Sequence, residues 1–172
     1  MQERQQNRKS KKRSFVISNS SVIIALARIC YLELLGKLFS EVFVPETVWR
    51  EVAVRGKPGS EKILRAGFIH VKKIHDVRFA SLLKEFIDEG EAEATALALE
   101  VNADLLLVDD RDARKLAKRL GLQAMGTLGV MALAKYSGLI TEVKPIVDEL
   151  IEKGFWISKK ILVKFLRELG EL

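Results

Sequence analysis

Cysteine, histidine and proline are scarce in this chain, and so are amide side chains past the first fourteen residues. Cys30 stands alone, which excludes an intrachain disulfide and a thiolate metal cluster. His70 and His75 fall on or just after a strand-like run with no ligand spacing, so structural or solvated roles suit them better than zinc binding. No apolar run approaches the roughly 20 residues that cross a bilayer. The opening "MQERQQNRKSKKRS" lacks the apolar middle of a signal peptide, and the expectation is a soluble, cytoplasmic protein without a membrane partner. Nothing around Ser18, Ser20 or Ser21 reads G-x-S-x-G, which argues against hydrolase nucleophile chemistry. "GTLG" (126–129) is not followed by the lysine of a phosphate-binding loop, so Thr127 reads there as a helix N-cap. After residue 14 the amides are Asn19, Asn102 and Gln123 amid abundant Lys, Arg and Glu, a balance that suits a hot environment.

What is present is ordinary for a globular protein: 172 residues, 48% hydrophobic and 30% charged. A chain of that length fits one domain and buries about 70% of its unfolded surface. The net charge of +6 is concentrated at one end. Arg4, Arg8, Lys9, Lys11, Lys12 and Arg13 against Glu3 account for five of the six charges. Residues 1–14 therefore read as a disordered basic tail able to attract nucleic-acid backbone, or as a solvated extension, and residues 15–172 as a single domain.

Along the body, short β-branched runs alternate with amphipathic segments. "FVIS" leads to "SVIIALARI" and "YLELLGKLF", two helical patterns broken near Cys30. "VFV" (42–44) is a strand, and Pro45 then sits where a helix begins without losing a hydrogen bond. The helix "ETVWREVAV" ends near Gly56, and the strand pattern "FIHVKKI" follows a turn at "KPGS". "FASLLKEFI" reads as a helix closed by Gly90, ahead of a second helix, "EAEATALALEV". "LLLV" (105–108) is a continuous apolar run of the kind buried parallel strands show. Ala113, Leu116, Ala117 and Leu120 then repeat at helical spacing up to Gly121. "LQAM" reads as a last short strand, followed by the helix "GTLGVMALAKYSG" and two more helices separated by "GFWIS". The alternation implies an α/β fold: a three-layer α/β/α sandwich around a mostly parallel sheet.

The chemistry-bearing residues sit where strands end. "LLLVDDRDAR" carries a buried strand directly into Asp109, Asp110 and Asp112. Adjacent acids there are costly to desolvate unless they pair or bind a cation, and the alternative is that one caps the next helix. Glu51 lies three residues after Val48, near the face that packs on the sheet, and alone it reads equally as a surface glutamate. Glu91 and Glu93 open the helix after Gly90 about 200° apart, on opposite shoulders of its core stripe, so helix phase does not choose between them. Asn19 stands where the first strand hands over to a helix. Hard oxygen donors without imidazole or thiolate suit Mg²⁺ or Mn²⁺, and such ions serve phosphodiester hydrolysis. Trp49 and Trp156 can stack on bases, but a core or subunit interface suits each better. A phosphorelay receiver also places acids at strand ends, but it needs an acidic pair where this chain has "SNSS".

"SNSSVIIALARI", "VPETVWREV", "GEAEATALALE", "LLLVDDRDARKLAKRLGL" and "GTLGVMALAKYSGLI", in that order, resemble the PIN domain over about residues 15–170. They look most like an uncharacterised prokaryotic branch related to VapC-type toxins. The resemblance implies Mg²⁺- or Mn²⁺-dependent ribonuclease chemistry on RNA, a homodimer and an antitoxin protein as partner. It places the family's first acid on Asn19, the second on Glu51, the third on Glu91 and the fourth on Asp110. Glu93, Asp109 and Asp112 are alternatives, and Ser20 or Ser21 matches the small hydroxyl residue after the first acid. Asn19 departs from the wider pattern: its carbonyl can coordinate a hard cation but brings no charge. A PIN-like module that binds RNA or a protein without cutting is therefore the second expectation.

Overall fold

The computed structural model describes residues 14–172, so the basic tail expected over residues 1–14 lies, except for Ser14, outside the described residues. Five short strands form one sheet: β1 (Val16–Ser18), β2 (Val42–Val44), β3 (Ile69–Val71), β4 (Leu105–Leu107) and β5 (Ala124–Met125). All pairings are parallel and the order is β3-β2-β1-β4-β5. The chain lays β1, β2 and β3 outward on one side, then crosses back to β1's other edge for β4 and β5. That reversal makes a topological switch between β1 and β4, and open α/β sheets bind ligands outside the carboxyl ends of the strands at such a point.

Side-chain alternation along the strands divides the core into two layers. Val16, Leu105 and Leu107 face one cluster, and Ile17 and Leu106 face the other, in keeping with the register Val16↔Leu105, Ile17↔Leu106 and Ser18↔Leu107. The first layer holds α1 (Ser20–Arg28), α2 (Glu33–Phe39), α3 (Glu46–Val52), α4 (Ser60–Arg65), α8 (Thr127–Tyr136) and α9 (Lys144–Glu152), with α10 (Lys159–Glu168) packed on it. The second holds α5 (Val77–Leu83), α6 (Glu89–Glu100) and α7 (Arg111–Arg119). This is the α/β/α sandwich with a parallel sheet that the sequence pattern implies. Among the described residues no helix is long and apolar enough to cross a membrane.

Two local features bring the site together. Alanines at 92, 94, 96 and 98 make α6 thin enough to be buried on nearly every side, against the sheet, α5, α7 and α3. Glu171 ties the C-terminal segments: its carboxylate accepts from the Val143 and Lys144 backbone N–H groups (2.6–2.9 Å) and from Lys135 Nζ (2.5 Å). That anchor caps the start of α9, where helix N–H groups have no intrahelical partner. It leaves the connector 154–158 between α9 and α10 beside Asp109.

Candidate active site

Asn19 follows β1 directly. Its backbone N–H donates to Leu107 O (3.0 Å), so it is still laddered to β4 across the switch point. Its side chain is 3% exposed, and Oδ1 accepts from Ser21 Oγ at 2.8 Å. The hydroxyl residue after the strand thus orients the amide, while Ser20 makes no side-chain hydrogen bond among the described residues.

Across from it, α6 begins with a reciprocal cap. Asp88 Oδ1 accepts from the Glu91 backbone N–H (2.9 Å), and the Glu91 carboxyl is held in turn by the Asp88 backbone N–H. The pattern Asp88-x-x-Glu91 is a capping box, and it is the signal by which the sequence could have revealed Asp88 as part of the site. Gly90 does not close the preceding helix, as expected from the sequence, but lies inside the first turn of α6. The reason is steric. A Cβ there would approach the two Glu51 carboxylate oxygens to 2.9 and 3.0 Å, so glycine is what lets α3 set Glu51 against the start of α6. Glu51 is otherwise exposed, with no hydrogen bond or ion pair among the described residues.

Glu91 concentrates the electrostatics. Burial, with the residue only 9% exposed, pushes its carboxyl up to about 7, and the charges of Asp88, Asp110 and Glu51 add to the rise. The Asp88 N–H works in the opposite sense. Glu93 points elsewhere, toward α5, where Lys84 approaches it at 3.8 Å and Glu89 at 2.6 Å. The choice between Glu91 and Glu93 that helix phase leaves open is therefore made by Lys84.

The adjacent acids after β4 separate just as sharply. Asp109 turns toward α8, accepting from the Thr127 backbone N–H and hydroxyl, each at 2.7 Å. Gly126 allows it, since a Cβ there would meet Asp109 Oδ1 at 2.5 Å. Thr127 is accordingly not the N-cap expected from the sequence: it is the first helical residue, after Gly126, and its hydroxyl binds an acid from another element. Asp110 caps α7 with one oxygen, Oδ1, which accepts from Asp112 and Ala113 N–H at 2.8 Å each. Its Oδ2 has no hydrogen bond among the described residues. Arg114 braces this turn from below, its guanidinium donating to the Val108 and Asp109 carbonyls. Asp112 is exposed and paired with Lys115 at 3.4 Å.

Among the described residues no three His, Cys, Asp or Glu side chains stand close enough to form a ready-made metal-holding group. The donor chemistry is nonetheless that of a hard divalent cation. Glu51, Glu91 and Asp110 offer carboxylate oxygens and Asn19 an amide oxygen, and the mutual repulsion felt at Glu91 is what a cation relieves. The histidines take no part: His75 pairs with Glu100 (3.2 Å), and His70 lies 3.5 Å from Glu41 and against the Phe43 ring. Trp49 packs on the core, but Trp156 is 83% exposed, so of the core and subunit-interface positions expected for it the core is excluded.

A PIN-domain family model matches residues 15–171. This chain belongs to the PIN-domain family. PIN domains are generally nucleases and typically use divalent metals, and their α/β architecture is the one described above. No curated protein sequence matches this PIN domain. Among solved structures it is similar to a PilT N-terminus domain protein, SSO1118, from the hyperthermophilic archaeon Sulfolobus solfataricus P2. The two share 18% identity over 69% of this chain and 91% of the other, with a TM-score of 0.45.

Proposed function

We propose that this PIN domain is an RNA-cleaving nuclease of the kind the VapC-type toxins represent, working at the carboxyl ends of β1 and β4. Glu51, Glu91 and Asp110 would hold Mg²⁺ or Mn²⁺, with Asn19 Oδ1 as a neutral fourth donor. The observation that carries this reading is Glu91: a carboxyl at the start of α6, buried and fixed by its cap, and raised by that burial with the charges of Asp88, Asp110 and Glu51 adding to it. A fold has little structural use for a buried carboxyl without a cationic partner, and perturbed carboxyls of this kind mark reactive sites. When bound, the ion supplies charge stabilisation at the phosphodiester and a water nucleophile at neutral pH.

The chain's own residues do the rest. The reciprocal cap with Asp88 fixes the Glu91 rotamer, and Gly90 admits Glu51 to the same opening. Asp110 spends Oδ1 on α7 and keeps Oδ2 for the site. Asn19, locked by Ser21, presents oxygen without charge. That last feature favours a second reading, a module that binds RNA or a protein partner without cutting it, because one of four expected negative charges is missing.

RNA cleavage by purified protein with Mn²⁺ or Mg²⁺ separates the two. Cleavage that disappears with chelator and with Asp110→Asn supports the nuclease. Cleavage that survives both comes from another source and removes the metal mechanism.

A further inference from the structure

The segment "GFWIS" joins α9 to α10 without helix or strand, entered through Gly154 at a φ of +95°. Phe155 and Ile157 are half-buried, and Trp156 between them turns outward, 83% exposed. An indole left in water without a packing partner forgoes the burial that usually stabilises it. Its surroundings are not neutral. Trp156 separates two cavities that share Asp109, Phe155 and Trp156 itself. The smaller, of about 240 Å³, runs between α1 and the connector and is lined by Ser21, Arg28 and Lys153. The larger, of about 600 Å³, opens on Asp110, Arg111, Arg114 and Ser158. Arg28, Lys153 and Arg111 have no ion-pair partner among the described residues, and neither do Lys159 and Lys160 at the start of α10. Unpaired cations thus flank the ring on both sides, one cavity reaching Ser21, whose hydroxyl holds Asn19, and the other reaching Asp110.

Building on the nuclease reading above, we propose that Trp156 is a base-stacking platform that feeds single-stranded nucleic acid into the acidic centre. Phosphates run from Arg28 and Lys153 on one side to Arg111 on the other. Aromatic faces take any unpaired base, and cations of one sign track the backbone. The smaller cavity is below the roughly 300–1,000 Å³ usual for small-molecule sites, so it suits one base or phosphate rather than a whole cofactor. A protein partner fits less well, because the buried centre of a protein interface is depleted of charge, whereas this ring is surrounded by unpaired cations. A duplex is excluded for the stack itself, since paired bases keep their faces inside the helix.

The test is binding of a short single-stranded oligoadenylate and of a blunt RNA duplex in chelator, where no cleavage interferes. Intrinsic fluorescence reports on Trp156 because Trp49 is packed on the core. The single strand is expected to quench the emission, and Trp156→Ala to weaken its binding about 10-fold. Trp156→Phe should restore most of that loss, and the duplex should bind equally to all three proteins. Arg28→Ala combined with Lys153→Ala should flatten the salt dependence by roughly 1.4 units of log–log slope, about 0.7 per lost phosphate contact. Unchanged affinity in Trp156→Ala, absence of quenching, or a Trp156→Ala protein that changes only its oligomeric state each overturns the proposal. Quenching and Trp156 dependence in a protein that never cleaves would keep the platform and remove the nuclease reading. Cleavage indifferent to Trp156 would do the reverse.

Discussion

The N-termini of α6 and α8 each meet a carboxylate, and they treat it in opposite ways. At α8, Asp109 arrives from another element, satisfies the first N–H and the Thr127 hydroxyl, and completes a structural joint between the end of β4 and α8. At α6, Glu91 belongs to the helix itself, its carboxyl gains one backbone bond, and it is buried where the charges of Asp88, Asp110 and Glu51 still reach it. Both ends offer positive helix-dipole charge and free N–H groups. One is filled and quiet. The other keeps a buried carboxyl that holds its proton up to about 7, which is stability given up at that helix end.

The sharpest way to break the comparison is at Glu91. Glu91→Gln should reduce Mn²⁺-dependent RNA cleavage by about 100-fold or more. In chelator the same variant should be the more stable protein at pH 8, by about 1–2 kcal/mol once screening by adjacent water is allowed for. The sign follows from the carboxyl being pushed up to about 7 from an ordinary 4.5. Between those values the folded chain holds the proton and the unfolded chain has lost it, so stability falls as pH rises through that window. The full cost is present above about 7 and absent below 4.5, so wild type and Glu91→Gln should melt alike near pH 4.5. Thermal melts that show the difference at low pH instead would refute the assignment.

Asp109 tests the quiet end. Asp109→Ala should lower stability by about 2–3 kcal/mol, because it strips two charge-assisted bonds from a half-buried joint. Measured per folded molecule, its cleavage should fall far less than that of Glu91→Gln. Denaturant titration showing no loss of stability would mean the Thr127 bonds do not act as described.

Gly90→Ala should divide stability from activity. Replacing glycine within a helix contributes about 0.5–1 kcal/mol, while the new Cβ displaces only the flexible end of Glu51. The expected result is an equal or higher melting temperature with cleavage down about 10-fold, from a carboxylate moved out of place. An unchanged cleavage rate would remove Glu51 from the site. The smallest expected effect is at Asn19: Asn19→Asp should tighten Mn²⁺ binding about 3- to 10-fold by adding ligand charge. Calorimetry showing equal or weaker binding would count against placing Asn19 among the donors.

Much of the architecture was legible because it rests on local pattern. The run of leucines at 105–107 and valine at 108 marked a strand buried on both faces, and the strand–helix alternation implied a parallel sheet with two covering layers. The carboxyl ends of the strands, and hence Asn19 and the acids after Leu107, followed from that. Which acid does what was not legible. Glu91 and Glu93 lie on equivalent shoulders of α6, and only Lys84, just past α5, draws one away. Asp109 and Asp110 are neighbours in the chain, and only the arrival of Thr127, 18 residues later, commits the first of them to structure. Gly90 looked like punctuation and proved to be space for a side chain from α3. Trp156 suited a core or an interface and is not core, because no periodicity in an irregular connector says which side packs.

The sequence alone determined the strands, the helices, the parallel sheet and the strand ends near which Asn19 and the acids after β4 lie, because hydrophobic periodicity and cap chemistry act over a few residues. The tertiary structure alone decided how those acids are partnered: Glu91 bound by the Asp88 cap and Glu93 drawn toward Lys84, Asp110 capping with one oxygen while Asp109 is bound by Thr127. The physical reason is that each carboxylate's role depends on the charges and N–H groups it meets, and those come from helices distant in the chain.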